Sequence, residues 1–477
     1  MRLFELLQGT EHGKIEKDAE ITAICYDSRK VTPGSLFVAI RGYKTDGHRF
    51  IDAAVKSGAA AILAEEEMPC EVPLIVCPDT RKALSEVAAA FYGRPQDKLK
   101  IIGVTGTNGK TTTTYLIKQI LELIGIKTGL IGTNQNMICD RVLESERTTP
   151  ESLELYALFH EMVKEGVTHV VMEVSSHSLA LGRTHGIHFH EAVFTNLTQD
   201  HLDFHGDMET YLACKTILFK NARHGVVNMD DPHAKAFLEA AKCPVMTYSI
   251  EKPCDMQADA VRLSQRGVIF SVNIGGTPYE LRLGIPGEFS VYNALAAAAA
   301  CLGMGIPMDD IVKGLLLAKG VKGRAEVVQV MAPYTVIIDY AHTPDGLENI
   351  IKTVRGFAKG RVITLFGCGG DRDKTPRPIM GQMATSLSDH TIVTSDNPRT
   401  ENPLAIIRDI EEGIKEGAYT VVENRRDAIE KALSMAKEDD VILLCGKGHE
   451  TYQLLGDKTI DFDERVIVKE ILKNASV

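Results

Sequence analysis

The sequence predicts an α/β protein of three domains, with a P-loop ATPase-type parallel sheet in the centre and a doubly wound, Rossmann-like sheet at the C-terminal end. Three observations predict this class. An apolar strand at residues 101–104 runs into a glycine-rich turn and then a helix. Residues 322–477 alternate apolar strands with helical spacings. The length of 477 residues suits about three domains.

Residues 1–98 form the first predicted domain. Apolar strands are expected at residues 35–40 and 59–63, and a helix is expected near residues 84–91. Gly93-Arg94-Pro95 then breaks the pattern, which is typical of a linker. We therefore expect a small α/β domain here.

Residues 99–321 form the predicted central domain. After the glycine-rich turn, the helix carries apolar residues at helical spacing and stops at Gly125. The other predicted elements are strands at 170–174 and 192–194, a hairpin around Gly275-Gly276 and a helix at 292–302. A boundary is expected at residues 320–323.

The C-terminal domain, residues 322–477, has the clearest alternation. Its predicted strands are residues 336–338, 362–365, 391–393, 421–422 and 441–444. Polar clusters follow four of them, at residues 339–342, 367–372, 395–399 and 446–450. Because ligands of such sheets bind beyond the carboxyl ends of the strands, these clusters predict a binding site at one edge.

Composition excludes several classes of protein. The net charge is 53 − 64 = −11 without a basic stripe, so nucleic acid is not an expected partner. Ten cysteines without a CxxC pair, and no secretory signal, predict reduced thiols in the cytoplasm. No apolar run approaches the roughly 18 residues of a membrane span, so membrane insertion is not expected either.

The glycine-rich turn has the chemistry of a triphosphate cradle. Glycines let backbone N–H groups close around phosphate oxygens, Lys110 can reach the terminal phosphates, and the Thr111 hydroxyl can hold Mg²⁺. Val104 stands where a strict P-loop has its first glycine, and the alternative is an ordinary strand-turn-helix corner. The predicted ATP-binding residues are Gly106, Thr107, Asn108, Gly109, Lys110, Thr111 and Thr112.

Two further residues fit metal-assisted phosphoryl transfer. Glu173 ends an apolar strand, so it either pairs with a base or binds a metal ion. His201 lies in Asp200-His201-Leu202-Asp203, where a histidine alone is more often a cap or part of the core.

Five motifs together resemble the Mur ligases of peptidoglycan synthesis across nearly the whole chain. They are residues 105–112, Glu173-Val174-Ser175-Ser176-His177, residues 196–203, Tyr211-Leu212-Ala213-Cys214-Lys215 and residues 339–345. Within the family, the similarity is greatest to members that add the third residue of the nucleotide-linked stem peptide.

The resemblance implies an ATP-driven amide ligase. The D-glutamyl carboxylate of UDP-N-acetylmuramoyl-L-alanyl-D-glutamate would take the γ-phosphate, a diamino acid would attack the acyl phosphate, and ADP and phosphate would leave. Two Mg²⁺ ions would offset the repulsion between two anionic substrates. We expect a cytoplasmic monomer with small-molecule substrates.

The resemblance also assigns the reacting machinery. It implies catalytic roles for Lys110, Glu173, His201 and Lys215, with Mg²⁺ bound by Thr111, Glu173, His201 and a carbamylated Lys215. Asn293, Arg324 and Asp339 would contact ATP, the last two from the C-terminal domain after domain closure. Without the resemblance, Lys215 would be read as a solvated helix lysine.

For the UDP-sugar peptide, the family pattern implies two groups of contacts. They are Ser28, Tyr43, Lys44 and Thr45 in the first domain, and Thr148, Thr149, Ser175 and Arg183 in the second. On local grounds, Arg183, and Arg29 next to Ser28, could equally be surface charges.

The motif Asp396-Asn397-Pro398-Arg399 matches the form found in members that add meso-diaminopimelate. Arg399 with Arg372 could grip the second carboxylate of this amino acid, and Gly446 and Glu450 would receive its ammonium end. Lysine would leave the guanidinium unpaired. The local alternative is a simple turn, and Pro376 replaces the lysine that many relatives carry.

Three other functions stay open on the sequence. A folylpolyglutamate-synthase-like ligase would share the phosphate loop but not the N-terminal domain or the Asp-Asn-Pro-Arg motif. A switch-like NTPase would hydrolyse nucleotide without an amine acceptor. A nicotinamide-dependent dehydrogenase is disfavoured because no Gly-x-Gly-x-x-Gly follows a strand in the required context.

Overall fold

The computed structural model describes residues 1–15, 17–42 and 45–475, and it divides into two compact units. The first comprises Met1–Asp255 with Ala296–Ile311, and the second comprises Met256–Leu295 with Val312–Val477. Both are built from sheets flanked by helices, which confirms the predicted α/β class. The boundaries of the three predicted domains stay a prediction.

The first 98 residues of the first unit form a four-stranded parallel sheet in the order β1-β2-β3-β4. Its strands are β1 (Ala23–Cys25), β2 (Ser35–Val38), β3 (Ala59–Ala64) and β4 (Leu74–Val76), and its helices are α1 (Leu3–Leu6), α2 (Ile51–Lys56) and α3 (Thr80–Phe91). Both predicted strands and the predicted helix are present. Helix α3 begins four residues earlier than expected because the Asp79 carboxylate accepts hydrogen bonds from the Arg81 and Lys82 amides.

A second sheet in this unit carries the phosphate loop, with strand order β12-β11-β10-β5-β9-β6-β7-β8. Its strands are β5 (Lys100–Thr105), β6 (Thr128–Ile131), β7 (Asn136–Ile138), β8 (Arg141–Leu143), β9 (His169–Glu173), β10 (Phe189–Phe194), β11 (Ala222–Asn228) and β12 (Val245–Ser249). The helices are α4 (Lys110–Leu123), α5 (Ser152–Lys164), α6 (Ser176–Ala180), α7 (Leu202–His205), α8 (Met208–Lys220) and α9 (Ala234–Ala240).

Register places the polar ends of three neighbouring strands at one edge of this sheet. Strands β9, β5 and β10 run parallel, with Val104 opposite Glu173 and Thr105 opposite Phe194. Behind this edge, Phe194 stacks on Phe237 with 3.7 Å between ring centroids, and both rings are buried. The continuous apolar strands predicted from the sequence therefore form a buried sheet whose carboxyl edge carries the candidate site.

The second unit begins with an antiparallel meander of β13 (Met256–Ser264), β14 (Gly267–Ile274) and β15 (Thr277–Leu283). Gly275 and Gly276 join β14 to β15 with φ of 59° and 86°, which confirms the predicted hairpin and explains its two glycines. Helices α10 (Glu288–Gly303) and α11 (Met308–Leu317) follow, and each has residues in both units.

The rest of the second unit contains a six-stranded sheet in the order β16-β17-β21-β18-β19-β20. Its strands are β16 (Glu326–Val328), β17 (Thr335–Asp339), β18 (Val362–Phe366), β19 (His390–Val393), β20 (Tyr419–Val421) and β21 (Val441–Cys445). All neighbours are parallel except β16 and β17. The five predicted strands thus form one doubly wound sheet, as expected.

Helices α12 (Pro344–Phe357), α13 (Pro376–Leu387), α14 (Pro403–Glu411), α15 (Arg425–Met435) and α16 (Glu464–Ala475) alternate with these strands. A hairpin of β22 (Tyr452–Leu455) and β23 (Lys458–Asp461) precedes α16. Among the helices that the structure describes, none is long and apolar enough to cross a membrane.

Candidate active site

The phosphate loop connects β5 to α4 and has the backbone that its glycines allow. Gly106 and Gly109 have φ of 152° and 83°, which side-chain-bearing residues rarely adopt. A Cβ at Gly106 would overlap the Thr195 hydroxyl, so the close approach of the two segments also requires glycine. The Lys110 ammonium donates to the carbonyls of Gly106 and Thr107 at 2.9 and 2.8 Å and so lies over the loop.

The segment after β10 braces this loop. The Asn108 amide donates to the Asn196 side-chain oxygen at 2.9 Å, and the Thr195 hydroxyl donates to the Asn108 carbonyl at 2.6 Å. The Thr198 amide donates to the Thr107 hydroxyl at 3.0 Å. The loop is therefore held open by side chains from a neighbouring strand end. The strict P-loop pattern gave no signal of this bracing.

Lys215 on α8 is buried directly below the loop. Its Nζ donates to the Gly106 carbonyl at 2.9 Å and lies 4.6 Å from the centroid of the Tyr211 ring. It forms no ion pair with any residue that the structure describes. Burial, and next the charge of Lys110, hold the pKa of Lys215 well below its usual value. The structure thus excludes a solvated lysine and provides a buried amine that loses its proton easily.

Glu173 at the end of β9 is also buried, with 1% of its surface exposed. Its carboxylate accepts hydrogen bonds from the Thr133 amide at 2.9 Å and the Thr133 hydroxyl at 3.0 Å. Within the described ranges, no basic side chain pairs with Glu173. The alternative that it forms an ion pair therefore does not hold. Thr111, the first residue of the loop helix after Lys110, is buried as well.

His201 stands at the N-terminal end of α7 in the left-handed region, with φ of 54°. Burial, and next Lys110 and Lys215, lower its pKa. Its ring lies 4.8 Å from that of His177, centroid to centroid. The imidazole is half-exposed, and it is close enough to Lys110 and Lys215 for their charges to affect its pKa. It does not lie in the core.

The predicted contacts for the second substrate in this unit adjoin Glu173. The Thr149 hydroxyl donates to the Glu173 backbone carbonyl at 2.8 Å, and the Thr148 hydroxyl lies 3.0 Å from that of Thr133. Thr149 Oγ1 also lies 3.4 Å from Ser175 Oγ, which caps α6. Four predicted site residues, Thr148, Thr149, Glu173 and Ser175, are thus joined with Thr133 in one hydrogen-bond network.

Arg183 is part of a charged cluster around the buried carboxylate of Glu151. Its Nε lies 2.9 Å from Glu151, and its Nη1 donates to the Thr149 carbonyl at 3.1 Å. Arg147 and Arg81 reach the same carboxylate at 3.0 and 3.4 Å. The side chain of Arg183 is largely buried, which excludes a surface charge. Sequence reasoning missed Glu151, Arg81 and Arg147.

The predicted substrate contacts that the structure describes in the first 98 residues lie in turns or loops. Ser28 begins a single 3₁₀ turn, and Arg29 pairs with Asp27 at 2.7 Å while staying largely exposed, as a surface charge does. Thr45 is exposed, and its carbonyl accepts from the Gly42 amide. Tyr43 and Lys44 lie outside the described residues.

In the second unit, Asp339 ends β17 and accepts from the amides of Ala325 and Ala341 at 2.7 and 2.8 Å. Burial raises its pKa, and Arg324 opposes this shift. The Arg324 guanidinium lies 5.4 Å from the centroid of the Tyr340 ring. These two predicted ATP contacts therefore lie together, whereas the third, Asn293, is buried in α10.

The motif at residues 396–399 follows β19 and is more than a turn. Arg399 has φ of 52°, its amide donates to the Leu454 carbonyl at 3.2 Å, and it bridges to Leu455 of the β22–β23 hairpin. Its Nη1 donates to the Gly370 carbonyl at 2.7 Å. A Cβ at Gly369 would be 3.0 Å from the same nitrogen. The guanidinium is thus aimed along the loop after β18.

Two other residues of this motif contact the loop after β21. Asn397 donates to Glu450 at 2.9 Å and accepts from Lys447 at 3.0 Å, and Lys447 also donates to Glu450 at 3.0 Å. Lys447 has no exposed surface. This triangle joins two strand-end loops, those after β19 and β21, although sequence reasoning did not name Lys447.

Asp396 faces the loop after β21 as well. One of its oxygens lies 3.8 Å from Arg425, and a Cβ at Gly446 would lie 2.6 Å from that oxygen. Gly446 has φ of 111°, so both conformation and space require glycine there. Pro398 follows Asn397 directly, and its carbonyl accepts from the Glu401 amide at 3.0 Å.

Arg372 and Pro376 complete this region. Arg372 is exposed on the loop after β18, beside Gly369. Pro376 is the first residue of α13, where a missing amide hydrogen leaves no hydrogen bond unmade. The replacement of a lysine by Pro376 therefore fits the start of a helix.

The fold and the first unit's site define a class of protein. A glycine-rich loop before a helix, with one lysine over it and a buried lysine of lowered pKa below it, fits enzymes that use a nucleoside triphosphate. Comparison with known proteins sharpens this class. Models of the Mur ligase family match three segments: the "Mur ligase family, catalytic domain" at residues 20–92, the "Mur ligase middle domain" at 104–301 and the "Mur ligase, glutamate ligase domain" at 323–448.

Curated relatives match the whole chain. Proteins named UDP-N-acetylmuramoyl-L-alanyl-D-glutamate--2,6-diaminopimelate ligase are 50% identical in Clostridium tetani, covering 99% of both chains, and 51% identical in Clostridium botulinum, covering 99% of this chain and 100% of the relative. A solved structure with the same name is 32% identical, with a TM-score of 0.73 over 96% of each chain. The chain belongs to the Mur ligase family, and it is an ATP-dependent ligase.

Proposed function

We propose that this ligase joins meso-diaminopimelate to the D-glutamyl carboxylate of UDP-N-acetylmuramoyl-L-alanyl-D-glutamate, as a monomer in the cytoplasm. Relatives about 50% identical over their full length carry the names of these substrates. The observation that carries the proposal is that one chain contains both a phosphate loop above the buried amine of Lys215, in the first unit, and an Arg399 guanidinium held at a strand-end loop, in the second. Ten free cysteines suit a reducing compartment.

The residues of the first unit fit Mg²⁺ and a carbamate. Glu173 and Thr111 offer buried oxygen ligands, which Mg²⁺ prefers. An amine must be neutral to add to CO₂, and the buried Lys215 has its pKa lowered toward that state. The carbamate would add two oxygen atoms to the lysine amine, and these could bind a metal ion together with His201. When bound, the metal ions would neutralise charge on the transferring phosphate.

The chemistry divides into two displacements. A carboxylate oxygen of the D-glutamyl residue bonds to the γ-phosphorus as the bond to the β-phosphate oxygen breaks, which releases ADP. The amine nitrogen then bonds to the acyl carbon, loses a proton, and expels inorganic phosphate. Lys110, whose ammonium lies over the loop, would stabilise charge on the transferring group.

The loops of the second unit would choose the amine. A planar guanidinium matches a carboxylate with two parallel hydrogen bonds, so Arg399 and Arg372 suit the second carboxylate of diaminopimelate. Lys447 donates to both Asn397 and Glu450, and these two side chains would receive an ammonium group. L-Lysine lacks the second carboxylate and would leave Arg399 without its partner, at a cost of about 1.5 to 3 kcal/mol.

Phosphate release tests this proposal. The purified chain is given Mg-ATP and UDP-N-acetylmuramoyl-L-alanyl-D-glutamate with meso-diaminopimelate, L-lysine or no amine, and the product is identified by mass spectrometry. We expect turnover with diaminopimelate and a product heavier by one diaminopimelate residue. Preference for lysine would overturn the role of Arg399, and release that ignores the amine would indicate a switch-like NTPase.

A further inference from the structure

A cluster of metal-ligating side chains lies away from the phosphate loop, at the start of β10 and β11. His190 and Glu191 belong to β10, and His224 belongs to β11, where it is the register partner of Glu191. One ligand atom from each of the three residues lies within 4.8 Å of the other two. The rings of His190 and His224 meet edge to face, with 5.6 Å between centroids.

Glu191 is the unusual member of this cluster, because it is completely buried. Neither carboxylate oxygen has a hydrogen-bond partner among the residues that the structure describes. His224 Nδ1 lies 3.3 Å from one of these oxygens, and that nitrogen also makes no hydrogen bond with a described residue. Buried carboxyl groups are normally hydrogen-bonded or bound to a cation, so this arrangement requires an explanation.

Space beside the carboxylate is kept by Gly303, the last residue of α10. A Cβ at this position would lie 3.2 and 3.4 Å from the two oxygens of Glu191. Any larger side chain would therefore press on the carboxylate. The absence of a side chain here preserves room for a small ligand.

A plain ion pair between Glu191 and a charged His224 is the simpler explanation. It accounts for one oxygen and one imidazole, and it leaves the second oxygen and His190 without a role. A protonated carboxyl group could donate to the Nδ1 of a neutral His224, but this too would leave the second oxygen and His190 without a role. One cation shared by all three side chains would engage the carboxylate and both imidazoles at once.

We propose that His190, Glu191 and His224 bind a divalent transition-metal ion of the Zn²⁺ type. Two imidazoles and one carboxylate are donors that suit Zn²⁺ better than Mg²⁺. Three protein ligands leave a fourth position for water, and the side chain of His224 is 40% exposed, so water and metal can reach the site.

This site is separate from the nucleotide site, although the two share a strand. Glu191 lies four residues before Thr195, which contacts the phosphate loop, and an extended strand covers about 13 Å over that distance. A metal ion at the start of β10 would tie this strand to β11. It would stabilise the strand that leads into Thr195 and Asn196.

Zinc binding by the full-length chain tests the proposal. Protein stripped with a chelator is titrated with Zn²⁺ in excess Mg²⁺, which occupies any magnesium site, and bound zinc is counted after gel filtration. We expect one retained ion per chain. Glu191→Gln and His224→Asn should each weaken binding more than about tenfold, since even residues that only support a metal ligand cost 10–100-fold. The exposed His188, two residues from His190, provides the matched control His188→Asn.

Two further measurements make the result decisive. Zn²⁺ should raise the melting temperature of the wild type and of His188→Asn, but not that of Glu191→Gln. Co²⁺ in place of Zn²⁺ should give visible absorption without a thiolate charge-transfer band, because the proposed ligands include no cysteine. Equal zinc retention by wild type and both site variants, or no retention by any of them, would overturn the proposal.

Discussion

Two lysines are buried to the same degree in this chain, but their surroundings differ. Lys215 is 1% exposed and has a backbone carbonyl and an aromatic ring as neighbours. Lys447 is 0% exposed and donates to Glu450 and Asn397. Burial alone therefore does not identify a reactive lysine. A buried lysine without a carboxylate is poised to lose its proton, whereas a paired one serves as a structural cation.

The largest expected effect comes from replacing the unpaired lysine. Lys215→Met should lower turnover about 10³-fold or more, because the metal-binding oxygens of the carbamate are lost and such electrostatic stabilisation is worth several kcal/mol. Phosphate release measures this loss. Stability should stay the same or rise slightly, since a desolvated amine is replaced by an apolar chain.

Lys220→Met, an exposed position at the end of the same helix, is the control and should keep normal turnover. In a companion variant, Lys215→Ala, added short-chain carboxylic acids should restore part of the activity by replacing the missing oxygens. Normal activity in Lys215→Met would remove the carbamate from the mechanism.

The same substitution at the paired lysine should have the opposite signature. Lys447→Met leaves the carboxylate of Glu450 facing Asn397 without its cation. Breaking a buried pair in this way costs about 3 to 5 kcal/mol of unfolding free energy. Urea unfolding of the two methionine variants side by side measures the contrast. Equal stability of Lys215→Met and Lys447→Met would show that the two buried lysines do not differ in the way proposed.

A substitution at Arg399 should affect the amine site without affecting the nucleotide site. Arg399→Lys keeps the charge but loses the planar fork, so kcat/KM for diaminopimelate should fall about 10- to 100-fold. The affinity for ADP should not change. Calorimetry with ADP and steady-state kinetics measure the two effects. The exposed Arg426→Lys is the control. Loss of ADP binding in Arg399→Lys would refute a selectivity role.

Much of the fold and the phosphate loop could be predicted from contiguous residues. The phosphate loop requires glycines and a lysine at fixed positions, so residues 106–112 identify it in the sequence. The doubly wound sheet was predicted because its strands are apolar runs between helical spacings, and its site clusters follow strand ends directly. In each case, residues that are adjacent in the sequence form the feature.

Partners that are distant in the chain gave no such signal. The carboxylate of Glu151 forms ion pairs with Arg81, Arg147 and Arg183, which lie up to 70 residues away in the chain. No spacing rule predicts these pairs. Thr133, which donates twice to Glu173, is 40 residues from it. Glu191 and His224 meet only because β10 pairs with β11 in a particular register. Tertiary contacts decide these partners, and a single sequence does not encode them locally.

The smallest expected effect uses protonation to remove the partner of a buried cation. Arg377 is 1% exposed and pairs with Glu401 at 2.9 Å and Asp409 at 2.8 Å. Hydrogen bonds from Arg377 hold the pKa of Glu401 at about 2, below its ordinary 4.5. A carboxyl group whose pKa is lower in the folded state stabilises the fold above the unfolded value. Its contribution is therefore complete above about pH 4.5 and is lost as the pH falls toward 2.

Glu401→Gln should accordingly cost about 2 kcal/mol of unfolding free energy at pH 7, the worth of hydrogen bonds to a charged group. The difference from wild type should shrink steadily between pH 4.5 and pH 3. Urea unfolding at several pH values measures it, and Glu412→Gln, which makes no ion pair among the described residues, is the control. A difference that stays constant down to pH 3 would mean that the pair with Arg377 does not set the pKa of Glu401. If the difference does shrink, a buried cation with carboxylate partners depends on their charge, a dependence that the unpaired Lys215 does not share.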